Sequence, residues 1–268
     1  MDRTKKAWIN GLFLIITLAV NALGAFGFIN GLTQKEISDK YMTLITPGPS
    51  TFSIWSVIYL LLLASVIVMI VKKDDLYYQK AIDSISSLFI ISSVLNIAWI
   101  VSFSFELVEL SVLFIFGFVI VLALILKKLL EIQEGKRWLL PLTFGLYTGW
   151  LFIATVVNSA AALVKLNWSG FGLSQETWAI IILAVSVLLV IGVVLILRNA
   201  AFPLPIAWAY FGIYQFLKSP EGFRGEFSTL QTVSLVGMGV LAIFALIQFY
   251  RNDFSVLPET EDEARAVR

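Results

Sequence analysis

The sequence predicts an all-α integral membrane protein, and three observations carry that expectation. Hydrophobic residues make up 59% of the 268-residue chain and charged ones 14%, with a mean hydropathy of +0.90, so a soluble domain of this size would expose a very large apolar surface. The apolar residues are gathered into runs of about 20, the length that crosses a hydrocarbon core as a helix. Lys and Arg crowd into alternate connections between those runs, as they do on the cytoplasmic side of membrane proteins.

Taken in chain order, five runs meet the spanning length clearly, at about 8–31, 51–71, 84–105, 108–130 and 138–164. Three more follow at about 177–198, 200–217 and 229–250, for eight spans in total. The first is preceded by Arg3, Lys5 and Lys6, but its apolar stretch exceeds the ~7–15 residues of a secretory signal and no clean cleavage site follows, so it reads as a retained anchor. The seventh is short and interrupted by Pro203 and Pro205, which leaves a kinked or re-entrant helix as the alternative to a full crossing.

With the N-terminus cytoplasmic, 14 of the 19 Lys and Arg fall on that side, Lys136, Arg137, Arg265 and Arg268 among them. Lys35, Lys40, Lys165, Lys218 and Arg224 remain on the other. The expectation is a multi-pass protein of the cell membrane with both termini in the cytoplasm. It divides into a five-helix membrane domain (1–164), a C-terminal transmembrane extension (165–250) and a polar cytoplasmic tail (251–268).

The chain contains neither cysteine nor histidine, which removes disulfides, thiolate nucleophiles, His acid/base chemistry and the commonest metal and haem ligands. Its net charge of +1 gives no field favouring nucleic acid, and neither a nucleic-acid partner nor a cofactor is expected. No Asp, Glu, Lys or Arg lies well inside a span, which argues against an ion-coupled carrier and leaves a passive pore open. Glu106 and Glu109, on the turn between the third and fourth spans, read as solvated turn residues rather than an acid/base pair. Trp8, Trp138, Trp168 and Trp178 sit at span boundaries and read as interfacial anchors.

Three sets of polar and aromatic residues have helical spacing. Phe52, Trp55 and Tyr59 share one face of the second span; Ser92, Asn96, Trp99 and Phe103 share one face of the third; Trp150, Ala154 and Asn158 share one face of the fifth. An unpaired Asn amide in hydrocarbon is costly, so Asn96 must face protein, water or a ligand. Gly145 and Gly149 form a small-xxx-small face that permits close helix approach.

Residues 8–164 resemble the TspO/MBR family of tryptophan-rich sensory proteins, related to the translocator protein or peripheral benzodiazepine receptor. The stretch PGPSTFSIWSVIY resembles the family's proline-rich first loop leading into Trp-x-x-x-Tyr, with Pro47, Gly48, Trp55 and Tyr59 in corresponding places. NIAWIVSF resembles its third-helix motif through Asn96, Ala98, Trp99 and Phe103, and WLFIATVVN its fifth-helix motif through Trp150, Ala154, Thr155 and Asn158.

The resemblance implies a five-helix bundle with a pocket beneath the first long loop, lined by Trp55, Tyr59, Asn96, Trp99, Phe103, Trp150, Ala154 and Asn158. Pro47, Gly48 and Pro49 would form the lid. It further implies ligands such as porphyrins, isoquinoline carboxamides, benzodiazepines and cholesterol, with a homodimer as an option. The chain departs from the family pattern at Pro49 and Ser50, where a Trp is usual, and at Ile97, where an aromatic is frequent; residues 165–268 have no counterpart in it.

The leading expectation is a sensor or regulator that binds a flat apolar molecule between spans two, three and five. A metal-free porphyrin suits a chain without His or Cys better than haem. Transport of an apolar or zwitterionic solute is the second reading. Light-dependent porphyrin breakdown, implied by the resemblance, is the third; a dark hydrolytic enzyme lacks an evident nucleophile and base.

Overall fold

A computed structural model describes residues 2–134 and 137–258. Lys136, Arg265 and Arg268 of the charge count, and residues 259–268 of the polar tail, lie outside the described residues. Among the described residues the chain forms nine α-helices and no strand. They are α1 (Arg3–Ala25), α2 (Gln34–Lys40), α3 (Ile54–Val71), α4 (Leu76–Ser104), α5 (Val108–Glu131), α6 (Leu139–Lys165), α7 (Gln175–Leu197), α8 (Pro203–Lys218) and α9 (Ser228–Arg251). Seven of them are long and apolar enough to cross a membrane, and the protein is an all-α multi-pass membrane protein.

Local chemistry accounts for the boundaries that hydropathy misplaced. Helix α4 begins about two turns before the apolar run because Asp75 caps it, its carboxylate accepting from the Tyr77 and Tyr78 amides at 3.0 and 3.3 Å. Helix α2, unseen by hydropathy, forms in the first long loop through a capping box: Thr33 accepts from the Glu36 amide at 3.1 Å, and Glu36 accepts from the Thr33 amide at 2.8 Å. Ile37 pins it to the protein.

Pro203 and Pro205 do not interrupt a helix; they lie in the first turn of α8, where a missing N–H costs nothing. Asn199 prepares that turn by accepting from the Ala201 and Phe202 amides at 2.9 and 3.1 Å. Pro203 and Pro205 therefore provide no broken helix of the kind that transporters place near their sites. With 16 residues, α8 is about 24 Å long at the standard rise, less than the ~30 Å hydrocarbon core. Ile206, Ala209, Tyr210 and Ile213 are fully buried in it, so protein rather than lipid surrounds much of the helix.

The packing makes a ring and a layer. Helices α1, α4, α5, α6 and α3 touch in that order and close on themselves, while α8 packs on α6, α9 on α8, and α7 on α9 with a small contact to α5. Sitting between the two groups, α6 has 67% of its most apolar stretch buried, against 28–39% in the other six long helices. Gly145 and Gly149 are what let the second group approach. A Cβ on Gly149 would lie 2.1 Å from the Phe202 carbonyl oxygen, and one on Gly145 2.4 Å from Asn199 Oδ1. The small-residue face is thus occupied within the chain.

Polar contacts define the two ends of the bundle. At one end Arg3 and Lys6 both pair with Asp83 at 2.6 Å, Lys80 pairs with Glu134, and Arg137 donates to the carbonyls of Ile132 and Pro258. Both described chain ends are therefore on one side. At the other end Lys40 and Tyr41 bind Glu106 at 2.5 and 2.9 Å, and Lys165 reaches Glu109 at 2.7 Å. Glu106 and Glu109 are turn residues as expected, but each is held by a cation. Trp8, Trp138 and Trp168 are exposed, whereas Trp178 is half-buried with its indole N–H on the Gly170 carbonyl at 2.8 Å.

Candidate functional site

Within the ring, at the end carrying α2, lies a cavity of about 730 Å³, inside the ~300–1,000 Å³ range of small-molecule sites. Its centre is aromatic. The Trp55 ring stacks on Tyr59 (5.1 Å between centroids, 26°), lies 6.5 Å from Trp99, and meets Tyr147 and Trp150 edge-on at 6.2 and 6.1 Å. Phe52 abuts Trp150 edge-on at 5.9 Å. Such perpendicular pairs set the positive ring edge against the negative face and hold each indole in one orientation. The rotation of about 100° per residue along α3 brings Trp55 and Tyr59 to this face together, and Phe52 joins them from the 3-10 turn Pro49–Ser53 that leads into α3.

Of the residues singled out from the sequence, Trp55, Tyr59, Trp99, Phe103, Trp150, Ala154 and Asn158 line the cavity, as do Pro47 and Pro49 of the expected lid. Asn96 and Gly48 do not. Asn96 is fully buried beneath the aromatic layer, where its Nδ2 donates to Tyr147 Oη at 3.0 Å and its Oδ1 accepts from Asn21 Nδ2 at 2.6 Å. Asn21 in turn accepts from Tyr59 Oη at 3.0 Å. This chain of four side chains ties α3, α1, α4 and α6 together and satisfies amides that hydrocarbon would penalise. Gly48 instead turns its N–H to the Gly212 carbonyl of α8, at 3.1 Å.

A second polar group fixes the opposite wall. Asn158 accepts from Trp99 Nε1 at 3.1 Å and donates to Ser111 Oγ at 2.9 Å, so the Trp99 indole is already partnered. Trp150 differs: its Nε1 is buried with no hydrogen-bond partner, although the residue lines the cavity and is only 2% exposed. Gln34 Nε2, from α2, is likewise buried without a partner and also borders the cavity.

Charge reaches only the rim. Lys35 and Asp39 of α2 border the cavity and pair at 2.5 Å, and the Asp39 bond raises the Lys35 pKa above its ordinary value. Beside them Glu106 is held below the usual carboxylate range by its bonds to Lys40 and Tyr41. The cavity is thus walled by aromatic rings, charged only at its rim, and lined by two residues, Trp150 and Gln34, whose N–H groups have no acceptor in the protein.

Sequence reasoning missed the contributions of α1 and α8, and placed α2 only within the loop 32–50 expected over the pocket. Asn21 carried a signal: with Asn10 and Thr17 it recurs at i, i+7 and i+11 on one face of an apolar run, and all three are buried. Ala209 and Phe216 of α8, which also line the cavity, carried none.

No curated protein and no solved structure matches the chain. The family model for TSPO-like proteins matches residues 7–247, and so extends through α7 and α8 and most of α9, which the motif resemblance had left outside. The chain belongs to the TSPO-like protein family.

Proposed function

We propose that the protein binds a flat, largely apolar molecule in this cavity, a metal-free tetrapyrrole being the leading class, and acts as a sensor or regulator that responds to it. The observation that carries the reading is Trp150, which lines the cavity and whose indole N–H is buried without an acceptor. An unsatisfied buried donor costs about 1–3 kcal/mol, a cost that a ligand carbonyl, carboxylate or ring nitrogen relieves. Gln34 Nε2 presents the same demand from α2. A planar ring system bearing acceptor groups meets both donors while stacking among Trp55, Trp99 and Trp150. Without His or Cys, enclosure and stacking hold the ring in place of axial metal ligation.

We assign the end bearing Arg3, Lys6 and Lys80 to the cytoplasm of a cell-membrane protein, on the excess of Lys and Arg there. The cavity then opens in the outer half of the bundle.

The test is titration of the detergent-purified protein with a metal-free porphyrin, read by porphyrin absorbance so that removal of a tryptophan leaves the readout intact. Saturable binding is expected in the parent. Trp150→Phe keeps the ring but not the donor and weakens binding about fivefold, the loss of one ordinary hydrogen bond; Trp55→Phe weakens it through lost contact area. Unchanged affinity in both variants refutes the site.

The spacing of the indoles favours a second reading. With Trp55 lying 6.5 Å from Trp99 and 6.1 Å from Trp150, a light-excited porphyrin would have electron-rich rings on several sides. Loss of porphyrin absorbance in air under illumination alone, abolished by Trp99→Phe, would support photochemistry.

A further inference from the structure

Helix α8 lies outside the ring of five helices, yet it holds the lid. The Gly48 N–H donates to the Gly212 carbonyl at 3.1 Å, and Trp208 Nε1 donates to the Thr51 carbonyl at 2.9 Å. Thr51 seats so closely on Gly212 that a Cβ there would lie 1.9 Å from its Oγ1. The two hydrogen bonds engage backbone groups of the lid, so they fix the path of the chain between Thr46 and Ser53 whatever its side chains are.

The helix is itself immobilised on three sides. Its first turn packs Phe202 and Pro205 against Gly149 of α6. Tyr210 Oη donates to the Leu183 carbonyl of α7 at 2.6 Å, and the Tyr210 ring fills the space that a Cβ on Gly237 of α9 would occupy. The other half of the lid, α2, is attached differently. Its one fully buried side chain is Ile37, and at its end Lys40 and Tyr41 both bind the carboxylate of one turn residue, Glu106, the first as an exposed ion pair of the kind that holds weakly.

We propose that α8 is a positioning element of the ligand site: through Gly212 and Trp208 it keeps the Thr46–Ser53 half of the lid stationary beside Trp55 and Trp150, so that ligand enters and leaves by displacement of α2. The three C-terminal spans are then a working part of the binding apparatus. This rests on reading the cavity as a ligand site, and the test separates the two.

The first measurement needs no ligand. In hydrogen exchange of the full-length protein in detergent, the Gly48 amide is protected and the α2 amides exchange faster. Gly212→Ala speeds exchange at Gly48, and adding Thr51→Gly, which removes the atoms the new methyl would strike, restores protection. Trp208→Phe provides the same test without inserting an atom. The second measurement is the dissociation rate of a metal-free porphyrin. Gly212→Ala and Trp208→Phe raise it about fivefold, as the loss of one hydrogen bond would. Glu106→Gln instead speeds association and dissociation together and leaves Kd nearly unchanged.

Exchange at Gly48 as fast as in α2, or unaltered by both α8 variants, overturns the proposal. So does a Glu106→Gln protein whose porphyrin rates match the parent's. Failure of the parent to bind porphyrin refutes the proposed function, while the exchange measurement still decides the role of α8.

Discussion

Replacing Asn96 by alanine separates a ligand contact from a structural one. Asn96 is fully buried, donates to Tyr147 Oη and accepts from Asn21 Nδ2. Hydrogen bonds between membrane helices contribute about 0.6 kcal/mol each on average. Losing both also strands the Tyr147 hydroxyl, whose one identified bond is the one from Asn96, and a stranded buried polar group costs about 1–3 kcal/mol. Asn21 keeps the Thr17 carbonyl and the Tyr59 hydroxyl, so it adds little. The expected loss of stability is therefore about 2–4 kcal/mol.

Reversible unfolding in mixed micelles, titrated with a denaturing detergent, reads that loss directly. Porphyrin affinity, measured where the variant remains folded, should fall by less than about tenfold, because Asn96 lies beneath the aromatic layer and its removal acts on the ligand only through Tyr59 and Tyr147. An unfolding midpoint equal to the parent's, together with affinity reduced by far more than about tenfold, would refute the reasoning and make Asn96 a direct ligand contact.

Gly149→Ala places a methyl 2.1 Å from the Phe202 carbonyl oxygen; it should cost more stability than Gly192→Ala, whose Cβ meets nothing within 4 Å, and equal midpoints would refute the packing of α8 on α6. Glu106 has a folded-state pKa below its ordinary 4.5, through its bonds to Lys40 and then Tyr41, with Lys165 also nearby. Its contribution is thus complete above that value and lost as pH falls through the lower folded-state value. The protection of the α2 amides, taken relative to the free-chain exchange rate at the same pH, should fall in the parent on acidification below 4.5, and in Glu106→Gln it should be low and independent of pH across that window. Ala154→Phe should block porphyrin binding while leaving the unfolding midpoint nearly unchanged, because the new ring enters the cavity; undiminished binding would place the ligand elsewhere.

Much of the site was legible because three helices each announce one face by spacing. Trp55 and Tyr59, Trp99 and Phe103, and Trp150, Ala154 and Asn158 each recur at helical intervals, and the structure brings all seven to one cavity. What spacing cannot give is depth across a helix interface. Asn96 lies on the face expected of it, yet one turn from Trp99 its amide is enclosed by Asn21 and Tyr147. The mirror case is Trp150, indistinguishable in sequence from Trp99; one indole N–H has Asn158 and the other has no partner.

By itself the sequence determined the solvent and the existence of the long helices, though not α2 or the start of α4. Apolar runs of spanning length and the segregation of Lys and Arg require helices in a bilayer, because backbone polar groups in hydrocarbon must be satisfied within the segment. Tertiary structure alone decided which helices meet. The Gly145 and Gly149 face accepts α8 rather than a second chain's helix because Asn199 and Phe202 lie against it. The prolines that seemed to break the seventh run begin a helix whose middle, at Trp208 and Gly212, bonds the backbone of Thr51 and Gly48. Contacts between residues as distant in sequence as Gly48 and Gly212 leave no periodic trace in either segment, since each is satisfied by the shape of the other.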